Sequence, residues 1–251
     1  MNYFSGFNAA ERYAAGRPYF HELVIQKIKA TINRPVGHAL DIACGTGLST
    51  KALLNIADHI CATDTSAEML SHVPQSPRIT YNLAAAEAQP YQDNTFDLIT
   101  VCSGVHWFDI PGFLKEAHRL LRSDGWLVLY DNYFASEMIG VPAFQEWSLQ
   151  TYLSHFPAPA RNDTYQWTNT NLNPQHFSLV KEDSFSNIVR FSKTELISYL
   201  TTQSNIAAAV TAQLYTYPDV EQWLSIQLAP FFDQQERQLV YNNWIKYIKI
   251  K

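Results

Sequence analysis

Clustered positive charge is missing from this sequence. Its 251 residues hold 18 Lys and Arg against 23 Asp and Glu, for a formal net charge of −5, and no stretch concentrates the basic ones. A basic surface of the kind that nucleic acid requires is therefore not expected. Cysteine is scarce too. Cys44, Cys61 and Cys102 are the only three, in no C-x-x-C pair and at no metal-ligand spacing, which argues against a disulfide framework or a zinc site. The eight histidines are scattered, and His38, His59, His118 and His155 fit no metal pattern. No apolar run reaches the roughly 18 residues that a membrane span needs. The opening Met1–Phe7 has no basic stretch followed by an apolar one. The expectation from these absences is a cytoplasmic protein with reduced thiols, no membrane segment and no bound metal.

What is abundant is apolar and aromatic. The sequence is 47% hydrophobic, with 14 Tyr, 14 Phe and 6 Trp. A chain of this length buries a large core without covalent staples. Most of those rings are core residues on this reading, and some line an apolar pocket.

The first half alternates strand and helix. Residues 9–31 read as helical with a break near Gly16-Arg17-Pro18, Pro18 suiting the first turn of a second helix from Tyr19 to about Thr31. His38–Ala43 is a short buried strand, and a helix runs from Leu48 to about Ile56. His59–Asp64 is a second strand, and Ser66 caps a short helix to His72. Ile79–Leu83 and Phe96–Val101 are the third and fourth strands. Apolar positions 113, 114, 117, 120 and 121 make a helical stripe, and Gly125–Tyr130 is a fifth strand. Such alternation implies a parallel sheet covered on both faces. After Tyr133 the rhythm changes. Residues 134–181 read as helices and loops, Asn187–Phe191 as a strand, and Ser192-Lys-Thr-Glu195 as a capping box. More helices follow to about Phe232, and Leu239–Ile250 reads as a last strand.

The run with most chemistry is Ala39-Leu-Asp-Ile-Ala-Cys-Gly-Thr-Gly-Leu-Ser-Thr50. A buried strand ends in a turn with Gly45 and Gly47, and a helix begins. Glycines there let a backbone approach a ligand at positive φ, and open α/β sheets bind ligands at this edge. The third glycine of the dinucleotide fingerprint is Thr50 here, which counts against a nicotinamide cofactor. Asp41 precedes the turn, placed to accept from loop amides or a ligand ammonium. Asp64 ends the second strand about 20 residues on, where an acid accepts ribose hydroxyls.

Asp41–Gly47, Asp64 with Ser66-Ala-Glu-Met-Leu70, Ala86-Glu87 before Pro90-Tyr91, and Asn94-Thr-Phe-Asp-Leu-Ile99 together resemble the class I S-adenosylmethionine-dependent methyltransferases. Ser103-Gly-Val-His-Trp-Phe-Asp109 and Arg12-Tyr-Ala-Ala-Gly-Arg-Pro-Tyr19 resemble a narrower branch of trans-aconitate methyltransferase-like and other small-molecule enzymes. The resemblance covers about residues 3–133. It implies a Rossmann-like α/β fold. The sheet is expected to have seven strands, mostly parallel, in the order 3-2-1-4-5-7-6 with the last strand antiparallel, and helices on both faces. The whole chain is then one methyltransferase domain, with residues 1–31 as a helical lid and 36–133 as the cofactor-binding core. Residues 134–232 form a variable helical region with a strand near 185–191, and 239–250 the final strand.

The resemblance also implies roles. Ala43, Gly45 and Gly47 pass the methionine and ribose portions of S-adenosylmethionine, with Asp41 before them. Asp64 binds the ribose hydroxyls, with Thr65 beside it. Met69 packs on the adenine, and Ala86 and Glu87 lie at its edge. Where the family often has an acid, this chain has Ala85, so the adenine amino contact falls to backbone. Ser103 lies beside the methionine moiety, and Tyr13 and Arg17 hold the cofactor carboxylate. Tyr3, Phe4, Tyr19, Trp107 and Phe108 are candidates to face the sulfonium. His106, with Trp107 as the catalytic pair, is the base if the acceptor is a hydroxyl or amine and a wall residue if it is a carboxylate. Arg161, Lys181, Arg190 and Lys193 are either surface charges or contacts to an acidic acceptor. Trp147, Tyr152, Trp167, Trp223 and Tyr133 line an acceptor pocket or build the core of the second half. The acceptor implied is a small molecule, such as a carboxylic acid. A nicotinamide oxidoreductase and a non-catalytic cofactor-binding protein are the competing readings. Oligomeric state is left open by the sequence.

Overall fold

The computed structural model describes residues 7–162, 164–233 and 236–251, with side chains from Ala10 onward. Helices α1 (Phe7–Gly16) and α2 (His21–Ile32) come first, followed by β1 (Val36–Ile42), α3 (Leu48–Leu53), β2 (Ala57–Asp64), α4 (Ala67–Leu70), β3 (Ile79–Leu83), β4 (Phe96–Cys102), α5 (Ile110–Leu120) and β5 (Leu121–Met138). The second half adds α6 (Pro142–Trp147), α7 (Leu153–His155), α8 (Asn169–Leu172), β6 (Phe177–Phe191), α9 (Lys193–Leu200), α10 (Ser204–Thr211), α11 (Tyr217–Leu228) and β7 (Arg237–Ile250).

The seven strands form one sheet in the order β3-β2-β1-β4-β5-β7-β6. The first five pair in parallel, with Leu40 opposite Cys61 on one side of β1 and Ile99 on the other. Strand β7 runs antiparallel to its neighbours. Its hydrogen bonds show this directly, since Ile139 N–H donates to the Gln238 carbonyl while Ser186 Oγ donates to Asn242 and Lys246 pairs with Glu182. The expected order and orientation therefore hold.

The chain divides into two compact units, one made of residues 1–18, 132–160 and 185–243, the other of 19–131, 161–184 and 244–251. In the second unit a core of Leu40, Ile42, Phe96, Ile99, Val101, Phe113, Leu114, Leu127 and Leu129 fills the space between the sheet and α5. The apolar stripe of α5 supplies Phe113, Leu114, Ala117 and Leu120 to it, all fully buried. In the first unit, Phe144, Trp147, Tyr152, Phe156, Leu196, Tyr199, Leu224 and Tyr241 build a separate aromatic core. Trp147 and Tyr152 are thus core residues, with Trp223 packed against them.

Four local expectations need correction. Helix α2 opens at His21 rather than Tyr19, because Phe20 holds φ −123° and ψ −7°, which leaves Pro18 outside it. The helix after the glycine turn stops at Leu53, three residues short of Ile56. Strand β5 does not end at Tyr130 but continues to Met138, and β6 begins at Phe177, well before the strand expected at 187–191. Polar residues hid both extensions. Asn132 on β5 donates to the side-chain oxygens of Asn187 on β6 and Asn243 on β7, at 2.8 and 2.7 Å. Asn243 in turn donates to Asn187 at 2.8 Å. These side-chain amides link the three strands beside the apolar packing of Phe134, Phe191 and Tyr241. Strand β6 is the last in the sheet, and its Lys181-Glu182-Asp183 run suits an edge strand, where charge discourages further pairing.

Candidate cofactor site at the carboxyl edge of the sheet

Strand order reverses between β1, which leads outward to β2 and β3, and β4, which leads to β5. Open parallel sheets leave a crevice beyond the carboxyl ends of the strands at such a point. Four left-handed residues in two turns converge there. Ala43 after β1 has φ 56°, Gly45 φ 55°, Gly47 φ 79°, and Ser103 after β4 φ 54°. Two of these are not glycine, and each left-handed L-residue costs about 1–2 kcal/mol. The turns are tightly fitted. A Cβ on Gly104 would lie 2.8 Å from that of Ala43, and one on Gly47 would meet Pro74 Cδ at 2.8 Å and the Tyr81 hydroxyl at 3.0 Å. At Gly45 a Cβ would meet nothing within 4 Å. Gly47 is therefore small because the protein fills the space, whereas Gly45 borders open space.

Asp41 is fully buried and holds the turn together. Its Oδ2 accepts from Ser49 Oγ at 2.6 Å and Thr50 Oγ1 at 2.7 Å, and Oδ1 from Thr100 Oγ1 at 2.8 Å. Burial pushes its pKa up, and the three hydroxyls pull it back. The contacts tie β1 to the first turn of α3 and to β4, and no loop amide donates to Asp41 among the described hydrogen bonds. Thr50, at the position of the missing third glycine, is fully buried and spends its hydroxyl on this anchor.

Asp64 at the end of β2 reaches over the glycine turn. Its Oδ2 accepts from Gly45 N–H at 2.8 Å and its Oδ1 from Ser66 N–H at 2.9 Å. Burial raises its pKa, and backbone amides of Ser66, Gly45 and Thr65 oppose that. A carboxylate has about four acceptor positions, so this one keeps room for a ribose hydroxyl beside the three amides. Thr65 is exposed beside it. Ser66 caps α4 by accepting from Met69 N–H at 3.1 Å, and the Met69 side chain is buried.

Ala86 is buried in the core beside α5, and Glu87 accepts from the Asp109 N–H at 2.8 Å. The Ala85 carbonyl accepts from Ala88 N–H at 3.2 Å and Gln89 Nε2 at 2.7 Å. Both its lone pairs are therefore used, so this one carbonyl offers no acceptor to an adenine amino group.

Beyond β4, Val105–Trp107 forms one 3-10 turn. The His106 ring lies 4.7 Å from that of Trp107, which is 37% exposed. Asn162 clasps this turn, its N–H donating to the His106 carbonyl at 2.9 Å and its Nδ2 to the Phe108 carbonyl at 3.2 Å. The Arg161 guanidinium stands 5.6 Å from the Trp107 ring centroid. Phe108 packs on Phe113 in the core, so it is not available to face a sulfonium. Tyr19 is half exposed, and Tyr3 and Phe4 lie outside the described residues. Ser103 Oγ donates to Asp131 Oδ1. Neither Asp131 nor Asn162 stood out in the sequence, and no spacing rule would have found them.

Tyr13 and Arg17 belong to the other compact unit. There the Arg17 guanidinium lies 4.5 Å from the Tyr13 ring centroid and 5.5 Å from that of Tyr199, and donates to the Thr202 carbonyl at 2.9 Å. Lys181 pairs with Asp183 and donates to Thr31, and Tyr133 is exposed. Among the described residues no group of three or more His, Cys, Asp or Glu is placed to hold a metal ion, and no helix is long and apolar enough to cross a membrane.

Residues 40–129 match the family model described as a methyltransferase domain. A protein of Dictyostelium discoideum assigned as a methyltransferase is 28% identical over 121 residues, 48% of this chain and 46% of that protein. An arginine-hydroxylase of mouse mitochondria is 37% identical over 93 residues, 36% of this chain and 27% of that protein. The matched segments span less than half of either relative. A solved structure from Anaeromyxobacter dehalogenans, assigned as a type II methyltransferase, superposes with a TM-score of 0.71 at 20% identity. It covers 93% of this chain and 97% of that one. The superposition shows a shared fold, the seven-stranded Rossmann-like sheet described above.

Proposed function

We propose that the chain is an enzyme that transfers the methyl group of S-adenosylmethionine to a small-molecule acceptor. The observation that supports this most is Asp64, held by the Gly45 and Ser66 amides beside the open face of Gly45. A carboxylate with spare acceptor capacity next to an unfilled glycine suits a ribose diol with a thin chain leading away. When bound, the cofactor supplies an electrophilic methyl group on a sulfonium. The protein's part is to hold donor and acceptor in line and keep water out. Gly45 gives clearance, Asp64 fixes the ribose, and Met69, Ala86 and Glu87 border the adenine end. Trp107 faces the acceptor.

The finer reading is O-methylation of a carboxylate or a hydroxyl, supported by the Ser103–Asp109 run and its likeness to the trans-aconitate methyltransferase branch. A carboxylate acceptor is already ionised at neutral pH and needs no base. A hydroxyl acceptor would lose its proton to His106. The arginine-hydroxylase relative favours a second reading, in which the same cofactor site serves a different reaction. A nicotinamide cofactor is disfavoured by Thr50, whose buried hydroxyl is committed to Asp41.

Calorimetric titration with S-adenosylmethionine, beside an Asp64→Ala variant, tests the reading. Micromolar binding that the variant loses supports it, and methyl-labelled cofactor incubated with small carboxylates and phenols then separates transfer from binding alone. Absence of binding to the wild-type protein overturns it.

A further inference from the structure

The sheet places two carboxylates on opposite sides of the β1/β4 crevice. Asp64 ends β2. The pairing of Cys102 with Tyr130 puts Ser103 and Asp131 side by side one step beyond, and Ser103 Oγ donates to Asp131 Oδ1. From β2 to β5 is three strand spacings, about 14 Å. A nucleoside whose diol sits on Asp64 has only β3 beyond it on one side, where Met69, Ala86 and Glu87 lie. Its other arm must cross β1 above Gly45, toward the ends of β4 and β5. In S-adenosylmethionine that arm holds the sulfonium and the ammonium.

We infer that Asp131, steadied by Ser103, is the residue by which this site prefers the positively charged cofactor over its neutral thioether product, S-adenosylhomocysteine. The inference rests on the cofactor reading above. Cofactor and product share adenine, ribose and amino acid, and differ by one methyl and one positive charge. A fixed carboxylate near that arm attracts the ammonium of both molecules but the sulfonium of the first alone, so it lowers the free energy of the first further. Ser103 is held at φ 54°, and its hydroxyl bond fixes the direction in which the carboxylate faces. The feature then acts on turnover by letting product leave more readily than cofactor.

The test is calorimetric titration of wild type, Asp131→Asn and Ser103→Ala with S-adenosylmethionine and, separately, S-adenosylhomocysteine. Asparagine keeps an oxygen for Ser103 and removes only the charge. Asp131→Asn should weaken cofactor binding by about tenfold more than product binding, the order of one partly screened charge pair. Ser103→Ala keeps the charge, so it should retain most of the preference while checking that the loop tolerates substitution. Equal effects of Asp131→Asn on both ligands, or none on either, overturn the inference while leaving the proposed function intact. Failure of both ligands to bind the wild type overturns the proposed function itself, and this inference with it.

Discussion

His21 Nδ1 lies 3.3 Å from the Tyr130 hydroxyl, and both side chains are buried beneath the strand ends. Burial drives the His21 pKa down to about 3 and that of Tyr130 well up, so both groups are neutral in the folded protein. The unfolded chain takes up a proton at His21 near pH 6.5 while the folded one resists until about pH 3. The stabilisation is fully present above pH 6.5 and is lost as pH falls toward 3, by up to roughly 4–5 kcal/mol. Chemical denaturation between pH 7 and 4 should show this loss. In His21→Gln, whose amide can still meet Tyr130, the pH dependence should flatten.

Gly45→Ala and Gly47→Ala should separate ligand clearance from packing. Both positions are left-handed. At Gly45 the added methyl meets open space, so the stability cost should be about 1 kcal/mol while S-adenosylmethionine affinity falls at least tenfold. At Gly47 the methyl strikes Pro74 and Tyr81, so the cost should be larger, roughly 2–4 kcal/mol. Thermal melts and calorimetry on the two variants read both quantities.

Asp41→Ala should be among the most destabilising single changes in the core, at roughly 3 kcal/mol or more. It strands three buried hydroxyls at once. Asp41→Asn retains an acceptor and should cost less. Equal denaturation midpoints for Asp41→Ala and the wild type would contradict the anchoring role given to this carboxylate.

Asn243→Ala removes two donated bonds and one accepted bond from the network with Asn132, Asn187 and the Phe185 carbonyl. A loss of roughly 2 kcal/mol is expected. A larger loss is expected for Asn243→Asp, which keeps the accepted bond but sets a buried carboxylate against the Phe185 and Asn187 oxygens.

The sequence made the β1–α3 turn and the Asp64 position legible because glycine and an acid at fixed spacing have few other uses in such a place. The capping boxes and N-caps were equally direct, since a hydroxyl followed three residues on by a backbone amide is a local device. Ser192 and Ser66 behave as read. Where the pattern was silent, the deciding contact was remote. Asp41 reads as a cofactor-site residue, and no spacing shows that Ser49, Thr50 and Thr100 surround it. Phe108 looks like part of the pocket until Phe113 is found against it. Asp131 becomes notable only through Ser103, 28 residues away in sequence. Strands β5 and β6 outran their apolar stretches, and their polar residues, Asn132 and Asn187 among them, are invisible to a hydrophobic pattern.

The division into two units also bears on how this protein can be taken apart or recombined. One unit takes residues 1–18, 132–160 and 185–243, and the other the stretches between and after them. The family match at 40–129 falls inside a single uninterrupted stretch of the second. No single cut of the gene releases either unit, and strands β5, β6 and β7 would each be severed by the attempt. Exchange of the first unit with that of another protein therefore calls for a three-piece transplant spliced within strands.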